Sequence, residues 1–472
     1  MEFLWYDYET SGDRPRKHRP VQFAGVRTDA DLQVIGDPVM CYCRPAPDQL
    51  PQPEASLVHG LAPSYLEEHG LSEAEFAHRI HQELARPGTC SVGYNAIRFD
   101  HEHTRFLFYR NLLDPYAWHW RNGNTRWDII DLFRAAYALR PEGIAWPMRE
   151  DGKPSFRLQH LAAENGVGGH GEAHEALADV MTTIDMARLV RDRQPKLFEW
   201  SLRMRHKKEA AAVMQDPFVW VASLFQGRGC AAPVFRLANK SENPNAVIVF
   251  DMSQDPSEFI GLSVDALHER IFTPGSRSPI FVVRMNKCPF VAPFSVLTDE
   301  VMDRLGLDAA TLEKHERLLR DDALLGQRVR AAYVRPPEEA PDRPREAPDV
   351  DEALYAGLTP DADRSALRRL LDEDRTLATA GDIHFTDRRL NELVFRYRAR
   401  NFFDDLEATE QDRWRAHCRA RHLTPGEDGR TELDKYYACI DELRREHADA
   451  PDRIALLDDL KEYGRRLAAW LG

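Results

Sequence analysis

Hydrophobic residues gather early in the chain into three short runs, at 2–8, 21–28 and 38–44, rich in Phe, Val, Tyr and Leu and divided by polar turn sequences such as SGDRPRKHRP. Runs of this length and composition predict strands, and their short connections predict an antiparallel meander. Apolar spacing then turns helical near 73–85 (EAEFAHRIHQELA), followed by a short strand, CSVGYN, and helices near 101–113, 127–139 and 157–165. A longer helix, from about 175 to 193, carries Ala, Leu, Val, Ile and Met at helical spacing. Three antiparallel strands followed by strand–helix alternation predict an α/β region, a mixed sheet with helices on its faces.

Beyond Gln194-Pro195 the pattern changes. FVWVASLF, NAVIVFDM and PIFVVRM are short β-rich runs with polar turns between them, and they predict a compact β-containing domain with helical insertions. The run RPPEEAPDRPREAPD (335–349) holds five prolines among charges. Proline removes backbone donors and the charges resist burial, so an extended, solvated linker is expected. From about 350 onward the pattern is mainly helical. The expected domains are 1–195, 196–345 and 346–472.

At 472 residues the chain exceeds one ordinary core, and 43% hydrophobic residues with 10% aromatics suffice for packed interiors. Mean hydropathy is −0.53. No apolar run reaches the ~18 residues of a membrane helix, and the first residues show no basic leader, so a cytoplasmic protein without secretory signal or membrane contact is expected. Seven scattered cysteines (41, 43, 90, 230, 288, 418, 439) read as free thiols. The net charge of −14 argues against indiscriminate, long-lived binding to duplex DNA. It leaves room for a segregated basic groove, and bound metals reverse the local sign at a carboxylate-rich site.

The candidate chemistry lies in four acids and one imidazole. Asp7 and Glu9, in DYET, stand two apart on a predicted strand, so both project from one face while Tyr6 and Tyr8 take the other. Asp100 ends GYNAIRFD, and Asp179 follows His174 by five residues in HEALADV. Each piece has an ordinary reading: D-x-E is common in strands, Asp100 alone is most simply a helix N-cap, and a lone His near a helix start is a cap or surface residue. In this order they suggest two divalent ions hydrolysing a phosphodiester.

DYET, GYNAIRFD and HEALADV resemble the three motifs of the DEDDh 3′→5′ exonucleases, whose catalytic domain is RNase H-like. RPVQFAGVRTD, FYRNLLDPYAWHW, RWDIIDLFRAAYALRPEGIAWP, PSFRLQHL and YRARNF extend the resemblance over nearly the whole chain, to the bacterial exonuclease I family. That likeness implies an exonuclease domain, an SH3-like barrel and a C-terminal helical domain, forming a C-shape around single strands. It implies that Asp7, Glu9, Asp100 and Asp179 hold two Mg²⁺, with Mn²⁺ as a substitute, and that His174 is the general base. The substrate implied is the 3′ end of single-stranded DNA, the product a nucleoside 5′-monophosphate, and the setting DNA repair and recombination in a monomeric enzyme.

Residues 105–140 interleave aromatics with arginines, a composition suited to sequence-tolerant single-strand binding. Many of these rings belong to the core by ordinary expectation, Trp127 and Phe133 first among them. The resemblance places Arg105, Tyr116, Trp120 and Arg134 along the DNA and Arg157, in PSFRL, near the cleavage site. RMRHKKE (203–209) and YRARNF (397–402) either line the channel or serve as solvated and salt-bridged surfaces. YAGLT, around Tyr355, has Leu358 where the family leads one to expect an aromatic.

The family also binds the acidic, phenylalanine-ended tail of single-stranded-DNA-binding protein. Arg304 fits that region, and Arg328 or Arg330 stand in for an arginine expected where this chain has Gly326. Two alternatives keep or drop the chemistry: a DEDDh exoribonuclease or proofreading exonuclease, and a non-catalytic scaffold for DNA or the binding protein. The two additional domains oppose the first, and the intact set of five site residues opposes the second.

Overall fold

The computed structural model describes residues 1–171, 175–215, 217–273, 275, 278–334, 348–377 and 384–472. His174 and most of the proline-rich run lie outside these described residues. In chain order the elements are β1 (Glu2–Thr10), β2 (Pro20–Thr28), β3 (Val39–Tyr42), α1 (Pro53–His59), α2 (Pro63–His69), α3 (Glu73–Leu84), β4 (Thr89–Gly93) and α4 (Asp100–Arg110). There follow β5 (Thr125–Asp128), α5 (Ile130–Leu139), α6 (Leu158–Glu164), α7 (Ala176–Arg193), α8 (Pro195–Met204) and α9 (Lys207–Val213). Next come β6 (Phe218–Val221), β7 (Ala231–Asn239), β8 (Ala246–Asp251), α10 (Val264–Phe272), β9 (Ile280–Arg284) and β10 (Phe290–Pro293). The remaining elements are helices: α11 (Asp299–Leu305), α12 (Ala309–Asp321), α13 (Leu325–Val334), α14 (Asp361–Glu373), α15 (Arg388–Asn401), α16 (Ala408–Leu423), α17 (Glu432–Glu446) and α18 (Pro451–Leu471).

These elements form two compact units. The first joins Met1–Asn124 and His170–Met181 to Arg345–Gly472; the second holds Thr125–Gly169 and Thr182–Pro344.

In the first unit the strands run in the order β3–β2–β1–β4. β1 pairs antiparallel with β2 and parallel with β4, and β2 pairs antiparallel with β3, which makes the expected meander and mixed sheet. Leu4, Tyr6 and Tyr8 of β1 bury one face among Phe23, Phe76, Ile80, Phe108 and Trp118. α3 is started by a reciprocal cap, in which Ser72 Oγ accepts from Glu75 N and Glu75 Oε2 accepts from Ser72 N. α1 and α2, absent from the pattern reading, are seven residues each and open with proline in the first turn.

The later segment of this unit packs onto the earlier one. Leu354, Leu367, Leu390, Leu393 and Tyr397 share a core cluster with Phe106 and Tyr109 of α4. A buried ion network joins the two segments as well. Arg19 and Arg400 pair with Asp48 at 2.6 and 2.8 Å, Arg400 and Arg396 with Asp351 at 3.0 and 2.9 Å, and Arg110 with Glu73 at 2.9 Å. Arg398 pairs with Glu410 at 2.8 Å. The arginines of YRARNF are thus salt-bridged within the unit.

The second unit contains a five-stranded antiparallel sheet in the order β10–β6–β7–β8–β9. β8 is buried along its whole length. Val247 and Val249 face Met204, Met214 and Phe225, while Ile248 and Phe250 face Leu312, Leu319 and Val329. A strand covered on both faces is apolar throughout, which is why NAVIV shows no polar alternation. Where a helix is expected from 127, Thr125–Asp128 is instead strand β5. Helix α5 starts at Ile130, whose N–H donates to Asp128 Oδ1 at 3.1 Å.

Candidate active site

All four candidate acids belong to the first unit. Asp7 and Glu9 sit on β1 opposite Ala24 and Gln22 of β2, on the face away from Tyr6 and Tyr8. Glu9 is buried and Asp7 half-buried. Asp100 is buried as the first residue of α4; the N-cap position belongs to Phe99, so the capping role expected of Asp100 is not the one it has. The Phe99 backbone takes the cap, and the Asp100 carboxyl is left to the neighbourhood of Tyr8. Thr104 links the two elements, donating to the Asp100 carbonyl at 2.8 Å and lying 3.1 Å from the Tyr8 hydroxyl. Asp179 lies in the first turn of α7, half-buried between the buried Ala178 and Val180.

Burial, followed by repulsion from Asp179, pushes the Asp7 carboxyl up to about 8. Burial, then Asp7 and Asp179, push Glu9 up to about 9. The acids therefore sit close enough to oppose one another's ionisation. Such a set is relieved by a divalent cation, and hard oxygen donors suit Mg²⁺ or Mn²⁺. Among the described residues no three His, Cys, Asp or Glu side chains form a ready-made ligand cage. His174 lies outside the described residues.

Of the residues expected along the strand, Arg105 and Tyr116 come together: the guanidinium carbon stands 5.5 Å from the ring centroid. Arg105 is nevertheless 8% exposed and engaged, its Nη1 donating to Glu102 Oε1 at 2.8 Å and to the Tyr355 hydroxyl at 3.3 Å. Glu102 was missed from sequence, although its spacing of three from Arg105 on a helix is a legible pairing signal. Trp120 is exposed, with Arg121 5.4 Å from its ring. Trp127 and Phe133 are buried, as expected of core residues.

The second unit holds the other candidates. Arg134 on α5 is buried, pairs with Asp131 at 2.6 Å and lies 5.8 Å from the Phe156 ring. Arg157 follows that ring, exposed at the N-cap of α6. In the basic run 203–209, Arg203 pairs with Glu209 at 2.9 Å and stacks on Trp200, while Lys207 and Lys208 are exposed. Arg304 donates to the Ala138 carbonyl at 3.2 Å and lies 3.5 Å from Glu142. Arg328 is tied to Asp322, and Arg330 is exposed. Gly326 backs onto β7 so closely that an added Cβ would stand 2.2 Å from the Leu237 carbonyl oxygen. With the backbone placed as it is, a side chain there would push against β7, so the nearest basic residues are Arg328 and Arg330 of α13.

Three family models match the chain: Exonuclease over residues 4–187, Exonuclease I SH3-like domain over 205–335, and Exonuclease I C-terminal domain over 348–467. The sequence is 42% identical to exodeoxyribonuclease I of Escherichia coli, across 98% of each chain. The zinc-ion-bound form of the E. coli ExoI–ssDNA complex superposes with a TM-score of 0.89 at 40% identity, covering 99% of both chains. A structure of SSB/exonuclease I in complex with an inhibitor matches equally well, with a TM-score of 0.89 at 40% identity and 99% coverage. With an RNase H-like sheet carrying the acids, an SH3-like middle and a helical C-terminal region, the chain belongs to the exonuclease I family.

Proposed function

We propose that this protein is a 3′→5′ exodeoxyribonuclease that degrades single-stranded DNA to nucleoside 5′-monophosphates, in DNA repair and recombination. The observation that carries the reading is the face of β1 away from Tyr6 and Tyr8, where Asp7 and Glu9 crowd with Asp179 and burial and mutual repulsion raise the two β1 acids to about 8 and 9. Asp7, Glu9, Asp100 and Asp179 would hold two divalent ions, Mg²⁺ in our reading with Mn²⁺ as a substitute. When bound, such ions supply Lewis acidity and neutralise the charge that develops on the phosphodiester. His174 takes the proton from the attacking water, work suited to an imidazole near neutrality. Arg157 and Arg134, with Arg105, Tyr116 and Trp120, bind the strand by pairing with phosphates and stacking on bases.

The test compares single-stranded DNA with an open or blocked 3′ end, and RNA, in Mg²⁺ and in EDTA. Nucleoside 5′-monophosphates released from open DNA only, and only with the metal, are expected. His174→Ala should lower the rate by about 10²–10⁴-fold at unchanged metal affinity. Equal degradation of blocked ends, or full activity in EDTA, would overturn the reading.

The same reading includes a partner, the acidic tail of single-stranded-DNA-binding protein. Its terminal carboxylate pairs with Arg304, and Arg328 or Arg330 stands in for the residue missing at Gly326. A charge-assisted contact of this kind outweighs a net repulsion screened beyond about 8 Å. Tail peptide that fails to bind at low salt, or binds equally without its phenylalanine, would remove the partner. No helix among the described residues is long and apolar enough to cross a membrane. A cytoplasmic monomer is our reading, and light scattering tests the oligomeric state.

A further inference from the structure

We propose that Tyr8 and Thr104 are positioning residues for the metal-binding acids, because their hydrogen bond fixes Asp100 against Asp7 and Glu9. This rests on the reading that these acids hold divalent ions. Tyr8 stands on β1 between the two acids but faces the other way, into the core. Its hydroxyl lies 3.1 Å from Thr104 Oγ1, and Thr104 Oγ1 donates to the Asp100 carbonyl at 2.8 Å. A threonine hydroxyl has one proton to give and accepts through its lone pairs, so Tyr8 is the donor to Thr104. A directed chain, from Tyr8 to Thr104 to Asp100, therefore ties the middle of the acid pair on β1 to the first residue of α4. Both side chains are buried, so bulk solvent does not compete for either bond.

The backbone alone leaves that spacing loose. β1 and β4 pair from Glu2↔Thr89 to Trp5↔Val92, so their ladder ends before Asp7 is reached. From there the chain arrives at Asp100 through residues 93–99, with Asn95 at a φ of 62°. The start of α4 has no side-chain cap at Phe99 to fix it. Tyr6 and His101 stack with ring centres 6.1 Å apart and planes 4° from parallel, which limits the distance between strand and helix but permits sliding along the ring faces. A hydrogen bond is directional and opposes that sliding. The Tyr8 ring is itself held, by Phe23 at 5.4 Å and edge-on by Tyr6 at 5.7 Å, so its hydroxyl is a fixed point. Ligands that come from different elements need such a link, since an ion shared between β1 and α4 binds only as tightly as their separation is held.

Near-isosteric variants separate positioning from packing. Tyr8→Phe and Thr104→Val each remove the bond and nearly keep the volume, whereas Thr104→Ser keeps the hydroxyl. Mn²⁺ affinity is measured on the full chain without DNA by titration calorimetry, beside unfolding in EDTA and hydrolysis of a labelled single strand over a range of Mg²⁺. Tyr8→Phe and Thr104→Val should each weaken Mn²⁺ binding by about tenfold. The Mg²⁺ needed for half-maximal hydrolysis should rise to match, with KM for the strand within about twofold of wild type. Thr104→Ser should bring both back. The double variant should lose no more than the worse single, because the two hydroxyls serve one bond. Unchanged Mn²⁺ affinity in folded Tyr8→Phe and Thr104→Val overturns the proposal, whatever happens to stability, and so do losses that add in the double variant. Should Tyr8→Phe fold poorly, Thr104→Val against Thr104→Ser decides by the same measure. Wild type that binds Mn²⁺ but leaves open single strands undegraded in Mg²⁺ overturns the exonuclease reading instead, and the Mn²⁺ comparison still decides the positioning.

Discussion

The first unit buries carboxylates in two places and compensates them differently. Beside β1, the neighbours acting on Asp7 and Glu9 are other acids, and burial plus repulsion lifts them to about 8 and 9. In the ion network, burial alone would raise Asp48, but Arg19 and Arg400 beside it bring it well below the usual carboxylate range. Asp351 is likewise depressed by Arg400 and Arg396, and Glu73 by Arg110 and Arg19. One residue type, buried in one unit, thus behaves oppositely according to whether the fold supplies the counter-charge or leaves that to a ligand. The first arrangement suits a site that must take up cations, and the second suits a joint.

Exchanging charge for an amide should separate these roles. Asp7→Asn is expected to lower hydrolysis of a labelled single strand by about a thousandfold or more, since it removes a ligand to ions that supply several kcal/mol of transition-state stabilisation. Its metal-free melting temperature should hold near neutral pH, where the raised acid is already mostly protonated, and rise above about pH 8, where Asp7 would carry a repelling charge. Undiminished turnover in Mg²⁺ would end the assignment.

Asp48→Asn should do the reverse. It leaves Arg19 and Arg400 without their shared carboxylate, which destabilises by about 3–5 kcal/mol. Denaturant unfolding would show this, while the fraction still folded keeps its specific activity. A neutral effect on stability would mean that the network is solvated in solution.

The pH responses should also oppose one another. The lowered acids of the network stabilise the fold above the ordinary carboxylate pKa near 4, and that contribution is lost as pH falls through their depressed values. The raised acids Asp7 and Glu9 act with the other sign. Their contribution to the metal-free protein is complete below about 4 and is lost as pH rises through about 8 to 9. Melting curves of the metal-free protein should therefore fall off at both extremes, and divalent cation should restore only the alkaline side. Restoration on the acid side instead would place the ions elsewhere.

The smallest effect belongs to Arg398, two residues from the fully buried Arg400 of the network. Its pair with Glu410 is partly exposed, so Arg398→Ala should cost no more than about 1 kcal/mol. A loss as large as that of Asp48→Asn would make the whole segment one cooperative cluster.

The two acid sets also differ in how far they can be read from sequence. Asp7 and Glu9 share one strand, and strand period alone puts them on one face; Asp100 and Asp179 follow in recognisable motifs. Asp48, Glu73 and Asp351 carry no such spacing, because their partners at 19, 110, 396 and 400 meet them only through tertiary packing. The Glu102–Arg105 pair was available from helical spacing, but its third member, Tyr355, was not. Apolar runs located most strands and helices. They missed α1 and α2, each too short to show a period, and took β5 for the start of α5 because four residues cannot display alternation.

The first unit is built from an early and a late segment of the chain, and this fixes an order of events during synthesis. Asp48 and Glu73 are made well before Arg396 and Arg400, a gap of roughly 16 to 70 s at about 5–20 residues per second. Throughout that interval Asp48 and Glu73 can pair with Arg19 and Arg110, but the Arg400 that also joins them has yet to be made. The joint between the two segments is therefore complete only once α15 has been made.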